Sequence, residues 1–275
     1  MADTAVARPL GDCFRSERFQ AFFAKLRACG RGTLMLDYDG TLAPFTPDRD
    51  TAGPYPEVPR LLDGIMKSAR TRIIIVSGRP AGSVALLLST RRIPEIWGLH
   101  GLERINAAGI RELLPFSEQD LQVLAEADVQ LSAAGLGNYL EFKPGSVAVH
   151  WRAASSARKK KIKQEAKKVM DSLADQSGLV VLDFAEGLEL RVSSANKGDA
   201  VRTALGERAA SPAVYIGDDI TDEDAFRAIN QLKGFSILML PTERKTCAQA
   251  RFRTPAELFA FLEQWLEYCG GPHEQ

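Results

Sequence analysis

Four short apolar runs, each closed by a polar, glycine or proline position, frame this chain. They are Thr33 to Leu36, Arg72 to Ser77, Ala213 to Gly217, and Phe235 to Leu240 ahead of Pro241. Each is too short for a helix and rich in branched residues. Runs that are apolar at successive positions read as parallel strands covered by helices on both faces. The stretches between them carry helical spacing, which predicts helices over Val58 to Ala69 and Ala200 to Arg208. This alternation predicts an α/β fold built on a doubly wound, Rossmann-like parallel sheet.

The middle of the chain has a different period. From about Arg111 to Val192 the pattern becomes helix, strand pair, long helix, strand pair. Tyr139 to Lys143 and Ser146 to Trp151 flank Pro144-Gly145, which predicts a hairpin. Val180 to Phe184 and Leu188 to Val192 flank Glu186-Gly187 and predict a second. Between them Ala153 to Asp175 reads as one helix, with Ile162, Ala166, Val169 and Leu173 on its inner side. Antiparallel hairpins inside a parallel α/β chain predict an inserted α+β cap domain over 107–192, in a core of 1–106 plus 193–275. The basic run Arg158-Lys159-Lys160-Lys161, continued by Lys163, Lys167 and Lys168, reads as a solvated helix face. Its other reading is a patch that draws in an anionic substrate.

Composition narrows the function classes. At 275 residues, 45% apolar and 25% charged, the chain is an ordinary globular sequence. Lys plus Arg equals Asp plus Glu, so there is no electrostatic case for nucleic acid or an anionic membrane. No segment approaches a membrane span. The first dozen residues read as a loose terminus rather than a signal peptide. The scattered Cys13, Cys29, Cys247 and Cys269 suit a reducing, cytoplasmic setting.

Candidate chemistry lies at the strand ends. The first run ends in Asp37-Tyr38-Asp39-Gly40-Thr41, and a buried strand has no use for acids unless they are paired or hold a metal. At the carboxyl end of a strand, Asp37 and Asp39 project into the crevice where open α/β sheets bind ligands. One carboxylate suits nucleophilic attack and the other proton transfer. The third run ends in a second cluster, Gly217-Asp218-Asp219-Ile220-Thr221-Asp222-Glu223-Asp224. Thr221 reads as a helix N-cap and the later acids as a first helical turn, but Asp218 is the strand-end residue. Two such clusters suggest a hard, oxygen-liganded cation, Mg²⁺ being the usual partner of phosphate chemistry. Ser77-Gly78-Arg79-Pro80 closes the second run, with Pro80 at the first helical position and Ser77 free for a phosphate. Asn196-Lys197-Gly198 precedes a helix, where Lys197 can reach an anion.

In order and context these four segments resemble the motifs of the haloacid-dehalogenase phosphohydrolase superfamily. Gly98-Leu99-His100-Gly101-Leu102-Glu103, Glu141-Phe142-Lys143 with His150-Trp151-Arg152, and Gly217-Asp218-Asp219 with Thr221-Asp222-Glu223 further resemble trehalose-6-phosphate phosphatases. The likeness runs from about Arg31 onward. It implies Mg²⁺-dependent hydrolysis of a small sugar phosphate through an aspartyl-phosphate. Asp37 would be the nucleophile and Asp39 the acid and base; Ser77 and Lys197 would hold the phosphoryl oxygens. Asp37, Asp218 and the Asp39 backbone carbonyl would hold the metal, with Asp219 and Asp222 behind them. Gly78, Arg79, Glu141, Lys143, His150, Arg152 and Glu189 would meet the substrate. Glu141 and Lys143, like His150 and Arg152, lie two apart on a strand and so share a face. His100 keeps a structural reading beside a substrate-binding one. The resemblance also implies a link to a separate trehalose-phosphate synthase. Alternatives are another sugar phosphate (a glycosyl-phosphoglycerate or sucrose phosphate), a sugar phosphomutase, and a non-catalytic sensor.

Overall fold

The computed structural model describes residues 12–46, 51–113, 116–152, 154–184, 186–192, 196–207 and 211–269. In chain order the first elements are α1 (Asp12–Arg15), α2 (Glu17–Cys29), β1 (Gly32–Leu36), α3 (Glu57–Lys67), β2 (Thr71–Val76) and α4 (Ala81–Leu87). They are followed by β3 (Glu95–Gly98), β4 (Glu103–Ile105), β5 (Arg111–Leu113) and α5 (Glu118–Ala133). Next come β6 (Leu140–Lys143), β7 (Ser146–His150), α6 (Ser156–Ala174), β8 (Leu179–Phe184) and β9 (Gly187–Val192). The last are α7 (Lys197–Gly206), β10 (Ala213–Gly217), α8 (Glu223–Gln231), β11 (Phe235–Met239), β12 (Ala250–Phe252) and α9 (Pro255–Cys269). The chain divides into two units, Met1–Glu112 with Asn196–Gln275, and Leu113–Ala195. Among the described residues no helix is long and apolar enough to cross a membrane.

The larger unit is built on a sheet ordered β12-β11-β10-β1-β2-β3-β4-β5. From β12 to β3 the neighbours run parallel, and β4 turns antiparallel to β3. Successive side chains of a strand face opposite ways, so a run apolar at every position must be covered twice. Leu34 and Leu36 of β1 join one core with Phe19 and Leu26 of α2, Val58 and Leu62 of α3, and Phe261 and Trp265 of α9. Met35, between them, joins the other core with Ala200 and Val201 of α7 and Phe226 and Ile229 of α8. Each fully buried large apolar side chain of this kind is worth about 1.5–3 kcal/mol. The sheet order runs one way from β1 to β3 and the other way from β10 to β12. That reversal opens a crevice at the carboxyl ends of β1 and β10.

In the smaller unit all strand neighbours are antiparallel, ordered β6-β7-β9-β8. The two expected hairpins are present, and β7 pairing with β9 joins them into one sheet. Helix α5 begins with a capping box between Ser117 and Asp120. On the inner side of α6, Met170 is buried where Val169 was expected, and Val169 is half-buried. The basic run of α6 is a solvent face with ion pairs: Lys159 to Glu186 at 2.5 Å, Lys163 to Asp183 at 2.5 Å and Lys167 to Asp171 at 3.0 Å.

Candidate active site

Strand β1 delivers Asp37 directly to the crevice. Its amide continues the ladder by bonding the Ile216 carbonyl of β10 at 2.9 Å. Alternation then sends Tyr38 into the apolar core, where its hydroxyl bonds the Ala52 carbonyl at 2.7 Å. Burial pushes the Tyr38 phenol up to about 12. Asp37 and Asp39 flank this anchored residue in the chain. Gly40 has φ of 77°, and a Cβ there would lie 2.0 Å from an Asp218 carboxylate oxygen. Only glycine lets the β1 turn and the Asp218 side chain approach so closely.

Lys197 is buried and ties the cluster together. Its Nζ donates to Asp37 Oδ1 at 2.8 Å and to Asp222 Oδ1 at 2.7 Å. Helix α7 starts at Lys197 because Asn196 caps it, in a capping box with Asp199. Asp222 is saturated: Oδ1 also accepts the Tyr215 hydroxyl at 2.6 Å, and Oδ2 accepts the amides of Asp218 and Asp219 at 3.0 and 2.9 Å. Thr221 is not the cap expected here. The helix it was expected to open, α8, has Asp222 at its N-cap, and Asp219 caps the preceding 3-10 turn Ile220–Asp222, within which Thr221 lies. Similarly Pro80 is the N-cap of α4 rather than its first helical residue, since its ψ of 138° is extended.

Charge is unbalanced in this cluster. Burial raises the Asp37 carboxyl to about 7, with Lys197 opposing and the charge of Asp222 adding to the rise. Burial, then the charges of Asp37 and Asp222, raise Asp218 to about 10. Burial would lower Lys197, but the charges of Asp222 and Asp37 outweigh it and hold the ammonium above its usual range. Oxygens of Asp37, Asp218 and Asp222 all lie within 4.8 Å of one another. Asp218 Oδ1 is buried and has no hydrogen-bond partner among the described residues. Three carboxylates facing one ammonium, all donors being oxygen, fit a hard divalent cation. The Asp39 carboxylate lies outside this group.

Asp39 is instead clamped by Arg79. The guanidinium donates from Nε to Asp39 Oδ2 at 2.7 Å and from Nη2 to Oδ1 at 2.6 Å, a two-point geometry that fixes both side chains. Arg79 is buried and lies over the Tyr38 ring at 5.6 Å. Ser77 is buried at the end of β2, and its hydroxyl accepts the Arg79 amide at 3.1 Å. The His100 imidazole lies against Gly78, where a Cβ would sit 2.7 Å from Nε2. Asp37, Asp39, Ser77, Gly78, Arg79, His100, Lys197, Asp218, Asp219 and Asp222 thus all belong to the larger unit.

The remaining candidates belong to the smaller unit. Glu141 stands opposite Ala148, Lys143 opposite Ser146, and Glu189 opposite Ala148 from the other side. Glu141, Lys143, Ser146, His150, Glu189 and Arg191 therefore share one sheet face. His150 Nε2 lies 2.5 Å from Glu141 Oε2, and Lys143 Nζ lies 3.5 Å from Glu141 and 3.7 Å from Glu189. The Ser146 hydroxyl donates to Glu189 at 2.7 Å. Arg152 follows the end of β7 and falls in a turn, outside the strand register.

A family model described as trehalose-phosphatase matches residues 35–259. The chain belongs to the trehalose-phosphatase family. Its members are phosphomonoester hydrolases. It is 35% identical over 212 residues to a probable trehalose-phosphate phosphatase of Sinorhizobium fredii, covering 76% of this chain and 77% of that protein. It is 31% identical over 269 residues to a trehalose-phosphate phosphatase of Mycobacterium marinum, covering 91% of this chain and 66% of that protein. In fold it is similar to the C-terminal domain of the trehalose-6-phosphate phosphatase of Candida albicans. The TM-score is 0.76 at 20% identity, covering 92% of this chain and 97% of the other. The haloacid-dehalogenase fold expected from the motif order is thereby shown.

Four residues escaped the sequence reading. Tyr215 reads in the sequence as one more apolar strand position, yet its hydroxyl holds Asp222. Ser146 and Arg191 were within reach of the two-residue period that places Glu189 on the sheet face. Arg244 had no local signal. It follows β11 and reaches back to bond the Asp219 carbonyl at 2.9 Å and the Glu223 carboxylate.

Proposed function

We propose that this chain hydrolyses trehalose 6-phosphate to trehalose and phosphate through an aspartyl-phosphate on Asp37. The observation that carries the reading is Asp37 at the sheet reversal, held by Lys197 and next to Asp218. An Asp37 oxygen attacks phosphorus as the bond from phosphorus to the sugar oxygen breaks, and Asp39 gives that oxygen its proton. Asp39 then takes a proton from the water that attacks the phosphoryl group, which releases phosphate and restores Asp37. Arg79 holds Asp39 in place through one hydrogen bond to each oxygen, which leaves each oxygen a second lone pair for the proton. Lys197 and Ser77 steady the phosphoryl oxygens as charge shifts between them.

Asp37, Asp218 and the Asp39 carbonyl would hold Mg²⁺, whose charge would offset that of the phosphoryl group. Asp222 is a support for Lys197 in this reading, since its four hydrogen bonds leave it saturated. Sugar recognition is assigned to the polar sheet face of Glu141, Lys143, His150 and Glu189, with Arg152 beside it. The substrate would come from a separate trehalose-phosphate synthase, and the scattered cysteines would suit a reaction in the reducing cytoplasm.

Phosphate release with Mg²⁺ from trehalose 6-phosphate, sucrose phosphate, a glycosyl-phosphoglycerate and a small aryl phosphate tests the reading. Trehalose 6-phosphate should give the highest kcat/KM, and Asp37→Asn should abolish turnover on all four. Near-normal turnover by Asp37→Asn would remove the covalent mechanism, and preference for another sugar phosphate would remove the substrate.

A further inference from the structure

Glu103 is a fully buried acid that the mechanism above does not use. It opens β4, and one oxygen accepts the Ala81 amide of α4 at 2.7 Å while the other takes the Arg111 guanidinium. Ala81 is the first residue of α4, and its N-cap Pro80 supplies no side-chain acceptor. Without Glu103 a buried helix-terminal amide would have no partner.

The segment before Glu103 grips the same loop through its backbone. The Ser77 amide bonds the Trp97 carbonyl at 2.8 Å, Leu99 bonds the Arg79 carbonyl at 2.9 Å, and His100 bonds the Ser77 carbonyl at 2.9 Å. To do so, Leu99 and His100 both adopt left-handed φ values, 51° and 58°. Side chains with a Cβ avoid that region, and two in succession persist only where the surroundings over-determine them. The gripped loop carries Ser77 and also Arg79, whose guanidinium clamps Asp39.

We propose that Glu103 is a positioning residue for the phosphatase reaction: by capping α4 from β4 it fixes the Ser77 to Arg79 loop and, through Arg79, the place of Asp39. This rests on the roles given above to Ser77 and Asp39. Glu103 acts as a hydrogen-bond acceptor, so an amide in its place preserves the function and a methyl group does not.

The test compares Glu103→Gln and Glu103→Ala with the parent protein, on trehalose 6-phosphate and on a small aryl phosphate. Amide hydrogen exchange across residues 77–88 is followed in parallel. Glu103→Gln should keep kcat/KM within threefold on both substrates. Glu103→Ala should lose at least 30-fold on both, with faster exchange in 77–88 and unchanged exchange in β1 and β10. A tenfold or larger loss in Glu103→Gln overturns the proposal, even if Glu103→Ala does not fold. So does an alanine variant within threefold of the parent. If the parent ignores trehalose 6-phosphate, the substrate assignment fails while the aryl phosphate and the exchange data still decide the role of Glu103.

Discussion

Asp218→Asn should make the metal-free protein more stable, by a margin that grows with pH. Burial and the neighbouring charges of Asp37 and Asp222 raise Asp218 to about 10, against an ordinary value of 3.8. A folded-state value above the unfolded one means that the unfolded chain ionises first. Stability is therefore undiminished below about pH 4 and falls as pH rises towards 10. Between pH 5 and pH 8 the folded group stays protonated while the unfolded one is ionised. Three pH units at about 1.4 kcal/mol each set a ceiling of about 4 kcal/mol. Solvent relaxation and the coupling to Asp37 bring the expected loss to about 2 kcal/mol. Asparagine has the shape of the protonated acid and never ionises, so the variant escapes this loss. For a chain of this length 2 kcal/mol corresponds to about 4–8 °C in Tm. Melting in chelator at pH 5 and pH 8 should show the variant's advantage widening by that amount, with turnover lost. Saturating Mg²⁺ at pH 8 should stabilise the parent more than the variant, since a cation favours the ionised carboxylate. An advantage that is constant or shrinks between the two pH values would refute the charge argument.

Tyr215→Phe removes the hydroxyl that donates to buried Asp222 at 2.6 Å; loss of this charge-assisted bond should cost about 1.5–3 kcal/mol in denaturant unfolding. Its effect on turnover should appear in kcat rather than KM, because Tyr215 acts through Asp222 and Lys197. Glu141→Ala and Glu189→Ala should each lower kcat/KM for trehalose 6-phosphate more than for a small aryl phosphate. About 0.5–1.5 kcal/mol per lost hydrogen bond makes that difference about 2- to 10-fold, read by steady-state kinetics. Equal losses on both substrates would make the sheet face a purely structural one.

The sequence by itself determined the layered architecture and the strand-end chemistry. Apolar runs at successive positions could be satisfied only by helices on both sides, and acids closing such runs had to emerge in a crevice. Asp37, Asp39 and Asp218 stood out for that reason and Ser77 as another strand-end residue, while Lys197, at a helix start, stood out only beside the other motifs. Two-residue periodicity likewise put Glu141 and Lys143 on one face, because a strand's alternation is local, whereas Glu189 joined them only through the family resemblance.

Tertiary structure alone decided the partnerships. The clamp of Arg79 on Asp39 joins residues 40 apart in the chain, and the bond of Lys197 to Asp37 joins residues 160 apart. The cap that Glu103 gives α4 comes from a different element, and Arg244 reaches the Asp219 carbonyl from beyond β11. Thr221 was a suitable cap by residue type, yet a 3-10 turn begins two residues earlier than that cap would imply and takes its cap from Asp219. Propensity and periodicity act over a few neighbouring residues. Which buried charge meets which donor depends on how strands distant in sequence are ordered in the sheet, and local pattern carries no record of that.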